Sequence, residues 1–190
     1  MRPWEDWYHC TGHLYGSWLR GDPRGWRSRH HREHVDGDYK NPPPQGKYTD
    51  LFNHSKSLMK RDPVQIELEL RRFVLDAVVE RLQRLSIEIA IASLDGIHLH
   101  GLLRCPEHNP RIVLGIAKQY ATAQLKAHGF AVGLNLELGQ GIWAKGSHPE
   151  PIRDSSHFEN VFDYIKKHGT RGGEVWVPAE DFWAGINLLL

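Results

Sequence analysis

The sequence predicts an α+β fold in which an antiparallel sheet carries helices on one face. Three observations predict it. Apolar residues are concentrated between residues 64 and 116, segments with two-residue alternation lie beside longer segments with three- and four-residue spacing, and turn-forming residues separate them. A chain of 190 residues can build one domain with a real core but not two large ones, so we expect a single domain over residues 1–190.

The first half of the chain predicts one strand, an irregular stretch and one helix. Residues 7–18 alternate imperfectly, as a half-buried strand does. Residues 19–62 hold Gly- and Pro-rich turn signals without a sustained period, apart from a short helix over 48–60, so we expect an irregular insertion there. A typical helix start at Asp62, with proline at the first helical position, precedes an apolar stripe that predicts a helix to about Arg84.

The second half continues the alternation of strands and helices. Asp95 and Gly96 predict a hairpin because both residues tolerate positive φ. Asn109 is a candidate N-cap for a second helix, and Asp154, Ser155 and Ser156 are candidate caps for a third. The aromatic segment after Glu174 is expected to pack back on the body. The predicted elements are strands at 86–93 and 97–105, a helix at 109–129, a strand at 142–145 and a helix at 154–169. This order is that of a ferredoxin-like sandwich with one extra helix near the C-terminus, and we expect its core over about residues 7–178.

Cysteine usage and hydropathy exclude several classes of protein. Two cysteines without a CxxC motif argue against a disulfide framework and against a cysteine-rich zinc site. Cys10 and Cys105 lie in apolar strand-like runs, which predicts buried thiols. The N-terminus lacks an apolar signal region, and no apolar run approaches the roughly 18 residues that cross a bilayer. We therefore expect a cytoplasmic protein without a membrane partner.

Charge is distributed unevenly along the chain. The net charge is +1 and the sequence pI is near 7.9, which does not by itself indicate a nucleic-acid binder. Between Arg20 and Arg32, however, five arginines accompany a single acid, Asp22. A local basic stripe matters more for phosphate binding than the net total.

A His-x-His pair lies on the second strand of the predicted hairpin. Alternate strand residues point to the same face, so His98 and His100 project together and Leu99 points away. Two imidazoles on a rigid strand form half of a divalent metal site. The chain has thirteen histidines, so roughly one His-x-His is expected by chance. Taken alone, the pair therefore also fits two ordinary polar residues on an exposed strand face.

A Tyr-x-x-x-His pair lies on the last predicted helix. Tyr164 and His168 share a helix face at this spacing, while Phe162 and Ile165 point toward the core. A phenol has a pKa of about 10 and is a poor nucleophile at neutral pH. It needs a neighbouring base or cation that favours the phenolate, or a metal that polarises the phosphate it attacks. His168 is suited to complete a three-ligand site with the strand pair. Alone, the same pattern also fits an amphipathic helix with a histidine near its C-terminus.

In this order, the motifs resemble the HUH single-tyrosine transposases, and more specifically the insertion-sequence and REP-associated tyrosine transposases. Such proteins combine a His-hydrophobic-His strand after a hairpin in a ferredoxin-like domain with a later helix that bears Tyr-x-x-x-His. The resemblance covers roughly residues 7–178. Further stretches similar to motifs of that group are His13–Trp26, His30–Tyr39, Trp143–Ser147 and Phe158–Ile165.

The resemblance implies an activity, a metal and a partner. His98 and His100 would bind Mg²⁺ or Mn²⁺, and His168 stands where family members place a third polar ligand. Tyr164 would attack a backbone phosphate of single-stranded DNA, giving a 5′-phosphotyrosine and a free 3′-OH, and joining would be the reverse reaction. The implied substrate is a hairpin at element or repeat ends, and the implied assembly is a monomer or a homodimer.

Two departures from the family's pattern lie beside the metal pair. Many members carry Pro-Asn/Asp-His-x-His, where this chain has Leu94–His98 without the proline, so we expect a remodelled hairpin. Gly101 follows the pair, where many members have Leu. In addition, three imidazoles suit Mn²⁺ or Zn²⁺ better than Mg²⁺, which prefers oxygen.

Binding of single-stranded DNA requires cations and flat stacking surfaces. His30, His31 and His34 have the spacing of a metal cluster, but without an evident fourth ligand we expect surface or DNA-contact roles. The aromatic and basic residues that we expect to contact DNA are Trp18, Arg20, Arg24, Trp26, Arg27, Lys145 and Lys167.

Three other functions stay open from the sequence. A metal-dependent hydrolase would activate water with the histidines and would not need Tyr164. A domesticated transposase would keep DNA recognition alone, and neither His98 nor His100 would then matter for binding. A replication initiator or relaxase of the HUH type is the third, although those proteins usually have longer chains.

Overall fold

Five antiparallel strands form the centre of the fold in the computed structural model, which describes residues 4–24, 41, 44–130, 132–134, 136 and 139–179. The chain divides into two compact units, one of residues 15–64 and one of residues 1–14 with 65–190. The elements in chain order are β1 (Trp7–His13), α1 (Thr49–Ser57), α2 (Leu68–Arg84), β2 (Glu88–Leu94), β3 (His98–Arg104), α3 (Pro110–Ala127), β4 (His148–Pro151), α4 (Ser155–Lys166) and β5 (Glu174–Trp176).

The strand order in the sheet is β4-β1-β3-β2-β5, and every neighbouring pair is antiparallel. β1 and β2 therefore run parallel with β3 inserted between them, and α2 lies between them in the chain. This split βαβ arrangement is typical of ferredoxin-like domains. The predicted α+β, ferredoxin-like sandwich is confirmed.

The two faces of the sheet carry different helices. Register pairs Thr11 with His100, so their side chains share one face, while Gly12 and Leu99 share the other. α4 packs on the first face, in a buried cluster that joins strand residues Trp7 and Leu102 to helix residues. These helix residues are Phe158, Val161 and Ile165, and the rings of Trp7 and Phe158 meet edge to face at 5.2 Å. α3 covers the second face, where Lys118 lies beside Gly12.

Two predicted boundaries before β2 are wrong. The strand predicted over residues 7–18 ends at His13, and Gly16 then takes a positive φ of 74° that no strand accommodates. The helix predicted from Asp62 begins only at Leu68. The preceding residues are extended, because the N–H of Ile66 donates to the carbonyl of Gly96 at 3.0 Å instead of remaining available at a helix start.

The fourth strand lies later than the sequence predicts. Within the predicted 142–145 strand, Trp143 makes a single isolated bridge to Leu14, and the strand that pairs with β1 is His148–Pro151. Proline is unfavourable in most strands, so residue propensities did not predict this one. Proline is tolerated there because β4 is an edge strand, where half of the backbone N–H groups need no partner.

The hairpin and the later helices follow the prediction with local differences. β2 and β3 form the expected hairpin, but Gly96 has no positive φ, since an Asp95 side-chain turn closes it instead. The predicted caps of the two later helices are confirmed, since Asn109 accepts the N–H of Arg111 at the start of α3 and Asp154 accepts the N–H of His157 at the start of α4. α4 ends at Lys166 and not at residue 169.

The segment after Glu174 was expected to pack back on the body, and its described part does so. Residues of β5 pair with β2 and add a fifth strand, which the sequence did not predict. Phe182, Trp183 and Leu188 of the tail lie outside the described residues.

Both cysteines are free and buried, as predicted. Burial raises the pKa of the Cys105 thiol to about 11, so it stays protonated at neutral pH. No helix among the described residues is long and apolar enough to span a membrane.

The unit of residues 15–64 is held by a few specific contacts. The N–H of Val64 donates to the carbonyl of Tyr15 at 2.8 Å, and the Arg61 guanidinium lies 4.3 Å from the Tyr15 ring centre. α1 is the short helix expected over residues 48–60. Residues 25–40 and 42–43 of this unit lie outside the described residues, including His30, His31, His34 and Tyr39.

Candidate active site

Strand β3 places His98 and His100 on the face of the sheet that α4 covers. Leu99 between them is buried on the opposite face, as the strand period requires. The His98 and His100 rings have centres 6.1 Å apart. His100 is buried, at 6% exposure, whereas His98 is partly exposed, so this pair is not two ordinary surface side chains.

Asp95 organises the turn that precedes these histidines. Its Oδ1 accepts the backbone N–H groups of Ile97 at 2.7 Å and His98 at 2.5 Å. Its Oδ2 faces Nδ1 of His98 at 3.3 Å and Nδ1 of His168 at 3.6 Å, the latter being an electrostatic contact longer than a hydrogen bond. Burial alone would raise the pKa of Asp95, but contacts with both rings and both N–H groups hold it far below its ordinary value. The remodelled hairpin therefore supplies a carboxylate shared by two histidines.

Helix α4 brings Tyr164 and His168 to the same place. His168 lies just beyond the end of the helix, but its backbone keeps helical dihedral angles (φ −61°, ψ −31°). The spacing argument therefore still holds, and the two rings lie 5.1 Å apart. The His100 ring centre is 4.6 Å from that of His168 and 5.3 Å from that of Tyr164. Tyr164 is 44% exposed, so its ring can meet a ligand from solvent while its neighbours are buried.

Strand β1 contributes residues that the sequence reasoning missed. His9 Nε2 lies 3.2 Å from His100 Nδ1, and Thr11 Oγ1 lies 3.4 Å from the same nitrogen. His13 is the register partner of His98, with ring centres 5.1 Å apart. The alternation at positions 9, 11 and 13 was visible in the sequence, but the pairing of β1 with β3 that brings it to His98 and His100 was not.

The environment favours the neutral form of His100 and His9. Burial lowers the pKa of His100 well below its ordinary value, and the neighbouring His168, His9 and His98 lower it further. Burial is also the main cause that lowers the pKa of His9, against an opposing effect from Glu150. Neutral imidazole is the form that binds metal ions.

The donor set fits a divalent metal in kind. Nδ1 of each ring in the trio His98, His100 and His168 faces a second residue, as metal-binding histidines usually require. The other ring nitrogen of His168, Nε2, is buried and has no hydrogen-bond partner. Ser93, opposite His100 in the register, also has a buried hydroxyl without a partner. Such unsatisfied polar atoms are rare in native interiors, and an ion or an ordered water is what usually satisfies them.

The side chains are not converged on one point. Across the described ranges, no three or more His, Cys, Asp or Glu side chains are arranged as a metal site. Imidazoles that share one ion have ring centres about 4.5–5.5 Å apart, because metal–nitrogen bonds are about 2.1 Å. The His100–His168 separation of 4.6 Å lies in that range, whereas the His98–His100 separation of 6.1 Å exceeds it. Rotation of the partly exposed His98 ring is the adjustment that binding would require.

The residues expected to contact DNA fall in both units. Trp18, Arg20 and Arg24 belong to the unit of residues 15–64, and Trp26 and Arg27 lie outside the described residues. The Arg24 guanidinium lies 4.9 Å from the Trp18 ring centre and donates to the Asp22 carboxylate at 2.5 Å. Arg24 thus has a structural role in its own loop.

In the other unit, Lys145 and Lys167 are both exposed. Lys167 is the C-cap of α4, close in the chain to Tyr164, whereas Lys145 follows Trp143 in the segment before β4. Lys167 is therefore near the imidazole cluster in the chain, whereas Lys145 belongs to a different segment.

Comparisons with known proteins return no relative. No family model matches the chain, and no curated protein or solved structure is significantly similar to it.

Proposed function

We propose that this protein cleaves and rejoins single-stranded DNA, with Tyr164 as the nucleophile, in the manner of the HUH single-tyrosine transposases. One observation carries the proposal. The half-exposed Tyr164 stands beside His98, His100 and His168, the last two buried, on one face of a ferredoxin-like sheet. A DNA strand could reach the exposed side of Tyr164, and the three histidines would supply metal ligands beside it.

The proposed reaction exchanges one phosphodiester for another. The Tyr164 oxygen attacks a backbone phosphorus and loses its proton, the bond from phosphorus to the 3′ oxygen breaks, and that oxygen takes up a proton. The products are a 5′-phosphotyrosine and a free 3′-OH. In the reverse step a 3′-OH attacks the same phosphorus and Tyr164 leaves, so joining needs no external energy source.

His98, His100 and His168 would hold the divalent ion, Mn²⁺ or Mg²⁺. The ion would stabilise negative charge on the phosphate oxygens and orient the substrate. Asp95 orients two of the imidazoles, and His9 and Thr11 orient the third. Nitrogen donors favour Mn²⁺ over Mg²⁺.

The proposed substrate is a DNA hairpin at the ends of a mobile element or repeat. The protein would bind it in the cytoplasm as a monomer or a homodimer. The basic residues of both units support a DNA partner.

A covalent-trapping gel tests the proposal. The protein is incubated with end-labelled hairpin oligonucleotides and Mn²⁺ or Mg²⁺, denatured, and examined for a labelled protein band. We expect a band that EDTA and Tyr164→Phe each abolish. Tyr120→Phe is the matched control, because the Tyr120 hydroxyl donates to Glu80 on α2 and lies on α3, away from the cluster.

Two results would contradict the proposal. Cleavage that survives Tyr164→Phe without a covalent band would identify a nuclease that activates water. Binding without cleavage across varied hairpins and both metals would identify a DNA-recognition protein that lacks the reaction.

A further inference from the structure

A second concave site lies on the other side of the sheet, between α3 and residues 139–146. The pocket has a volume of about 500 Å³. Among the described residues, its lining contains four cationic side chains and no carboxylate, in a wall otherwise formed by small, amide and aromatic residues. The four cations are Arg111, Lys118, Lys126 and Lys145. A concave surface with a single sign of charge is an anion-binding surface.

Lys118 is the unusual member of this set. It is only 5% exposed, and its ammonium donates to the carbonyls of Ala144 at 3.0 Å and Gly146 at 2.6 Å. No carboxylate among the described residues pairs with it, and burial lowers the pKa of Lys118 to about 8. A buried cation without a counterion is costly, and an anion bound in the pocket would offset that cost.

The pocket wall is built to let a ligand approach the backbone. Gly115 lies in the middle of α3, where glycine costs stability relative to alanine, and a Cβ there would enter open space. Gly139 and Gly146 likewise face open space and have positive φ. The Trp143 indole donates to the Lys118 carbonyl at 2.8 Å, which fixes a flat, half-buried ring in the wall.

We propose that this pocket binds a backbone phosphate of single-stranded DNA and that Trp143 contacts a neighbouring base. The rim cations, Arg111 and Lys126, supply the charged contacts that a polyanionic strand requires. The Trp143 indole supplies the flat surface on which a base can stack. The pocket lies against the face of the sheet opposite His100, as the contact of Lys118 with Gly12 shows. It therefore holds DNA at a distance from Tyr164. The choice of single-stranded DNA rests on the proposed function.

Fluorescence anisotropy tests the inference without catalysis. A labelled single strand is titrated with the Tyr164→Phe protein in EDTA, at several salt concentrations. The rim variant Arg111→Ala with Lys126→Ala is expected to bind about 10-fold more weakly, with a log–log salt slope shallower by about 1.4, since each phosphate contact on a single strand contributes about 0.7. The control Arg72→Ala with Arg84→Ala removes two cations from α2 that pair with Asp76 and Glu80 and do not line the pocket.

The outcomes separate this inference from the proposed function. Equal affinity and slope in the rim variant and in the parent overturn the inference, and so do equal losses in the rim and control variants. If the unmodified protein forms the Tyr164 adduct while the rim variant binds like the parent, only this inference fails. If inorganic phosphate binding depends on the rim while DNA binding does not, the ligand is a free phosphate and not a strand. Absence of any binding to single strands overturns both proposals.

Discussion

The two faces of the sheet are built from opposite chemistry. On the α4 face, the buried His100 and His168 lie beside the partly buried His9 and His98, and the Asp95 carboxylate, whose pKa is held far below its ordinary value, faces the rings of His98 and His168. On the α3 face, the pocket around Lys118 is cationic, and no carboxylate in the described part of the chain lines it. Neutral imidazoles can bind a metal ion that takes part in a reaction. Ammonium and guanidinium groups can bind a phosphate without reacting with it. Under the two proposals above, the α4 face would carry out the reaction and the α3 face would hold the substrate.

The largest expected effect separates the faces directly. His100→Ala should lower the rate of Tyr164 adduct formation by about 100- to 1000-fold, because the most buried of the proposed metal ligands is lost. Binding of single-stranded DNA, measured by anisotropy, should change less than about twofold. His128→Ala, an exposed histidine at the end of α3, is the control. Comparable losses of binding and of reaction would mean that the two faces do not divide these tasks.

Asp95→Asn should weaken Mn²⁺ binding by about 10- to 100-fold, because an amide orients the His98 and His168 rings less well than a carboxylate. Isothermal titration calorimetry or Mn²⁺ electron paramagnetic resonance measures this without the reaction. The control Asp76→Asn removes an exposed carboxylate that pairs with Arg72. Unchanged Mn²⁺ affinity in the Asp95 variant would show that the carboxylate serves only the turn.

The buried imidazoles should make the protein acid-sensitive. Because the folded pKa of His100 lies below its ordinary 6.5, the unfolded chain takes up the proton first as pH falls. Stability is therefore fully present above 6.5 and is lost as pH falls toward the folded pKa. At one pH unit below the unfolded pKa the loss is about 1.4 kcal/mol.

Urea unfolding in EDTA at two pH values, one on each side of the unfolded pKa, measures the effect. His100→Leu should flatten the dependence relative to the parent. A dependence that is the same in the two proteins would show that other groups cause it.

The smallest expected effect uses the caps of the two helices. Asp154→Ala and Asn109→Ala should each lower the free energy of unfolding by about 1 kcal/mol, because each side chain accepts an N–H of its helix's first turn. Only the Asp154 variant should also slow adduct formation, since α4 carries Tyr164. Equal effects of the two variants on adduct formation would show that the end of α4 does not position the tyrosine.

Local patterns predicted the parts of the site that lie on one element. The two-residue period placed His98 and His100 on one face of β3, and the four-residue spacing placed Tyr164 beside His168 even though the helix ends before His168. Residues that reach the site through strand pairing were missed, as with His9 and Thr11. β4 was also misplaced, because its prolines are permitted only by its position at the sheet edge.

The sequence by itself determined the α+β class, the order of elements from β1 to α3, and the two short motifs, because these depend on periodicity and capping within a few residues of chain. Only the tertiary structure decided that Asp95 faces both His98 and His168, that His9 meets His100, and that Lys118 is buried without a carboxylate. Each of these contacts joins residues far apart in the chain, or depends on burial by a distant segment. Their free energies depend on packing and desolvation, which no local pattern of residues records.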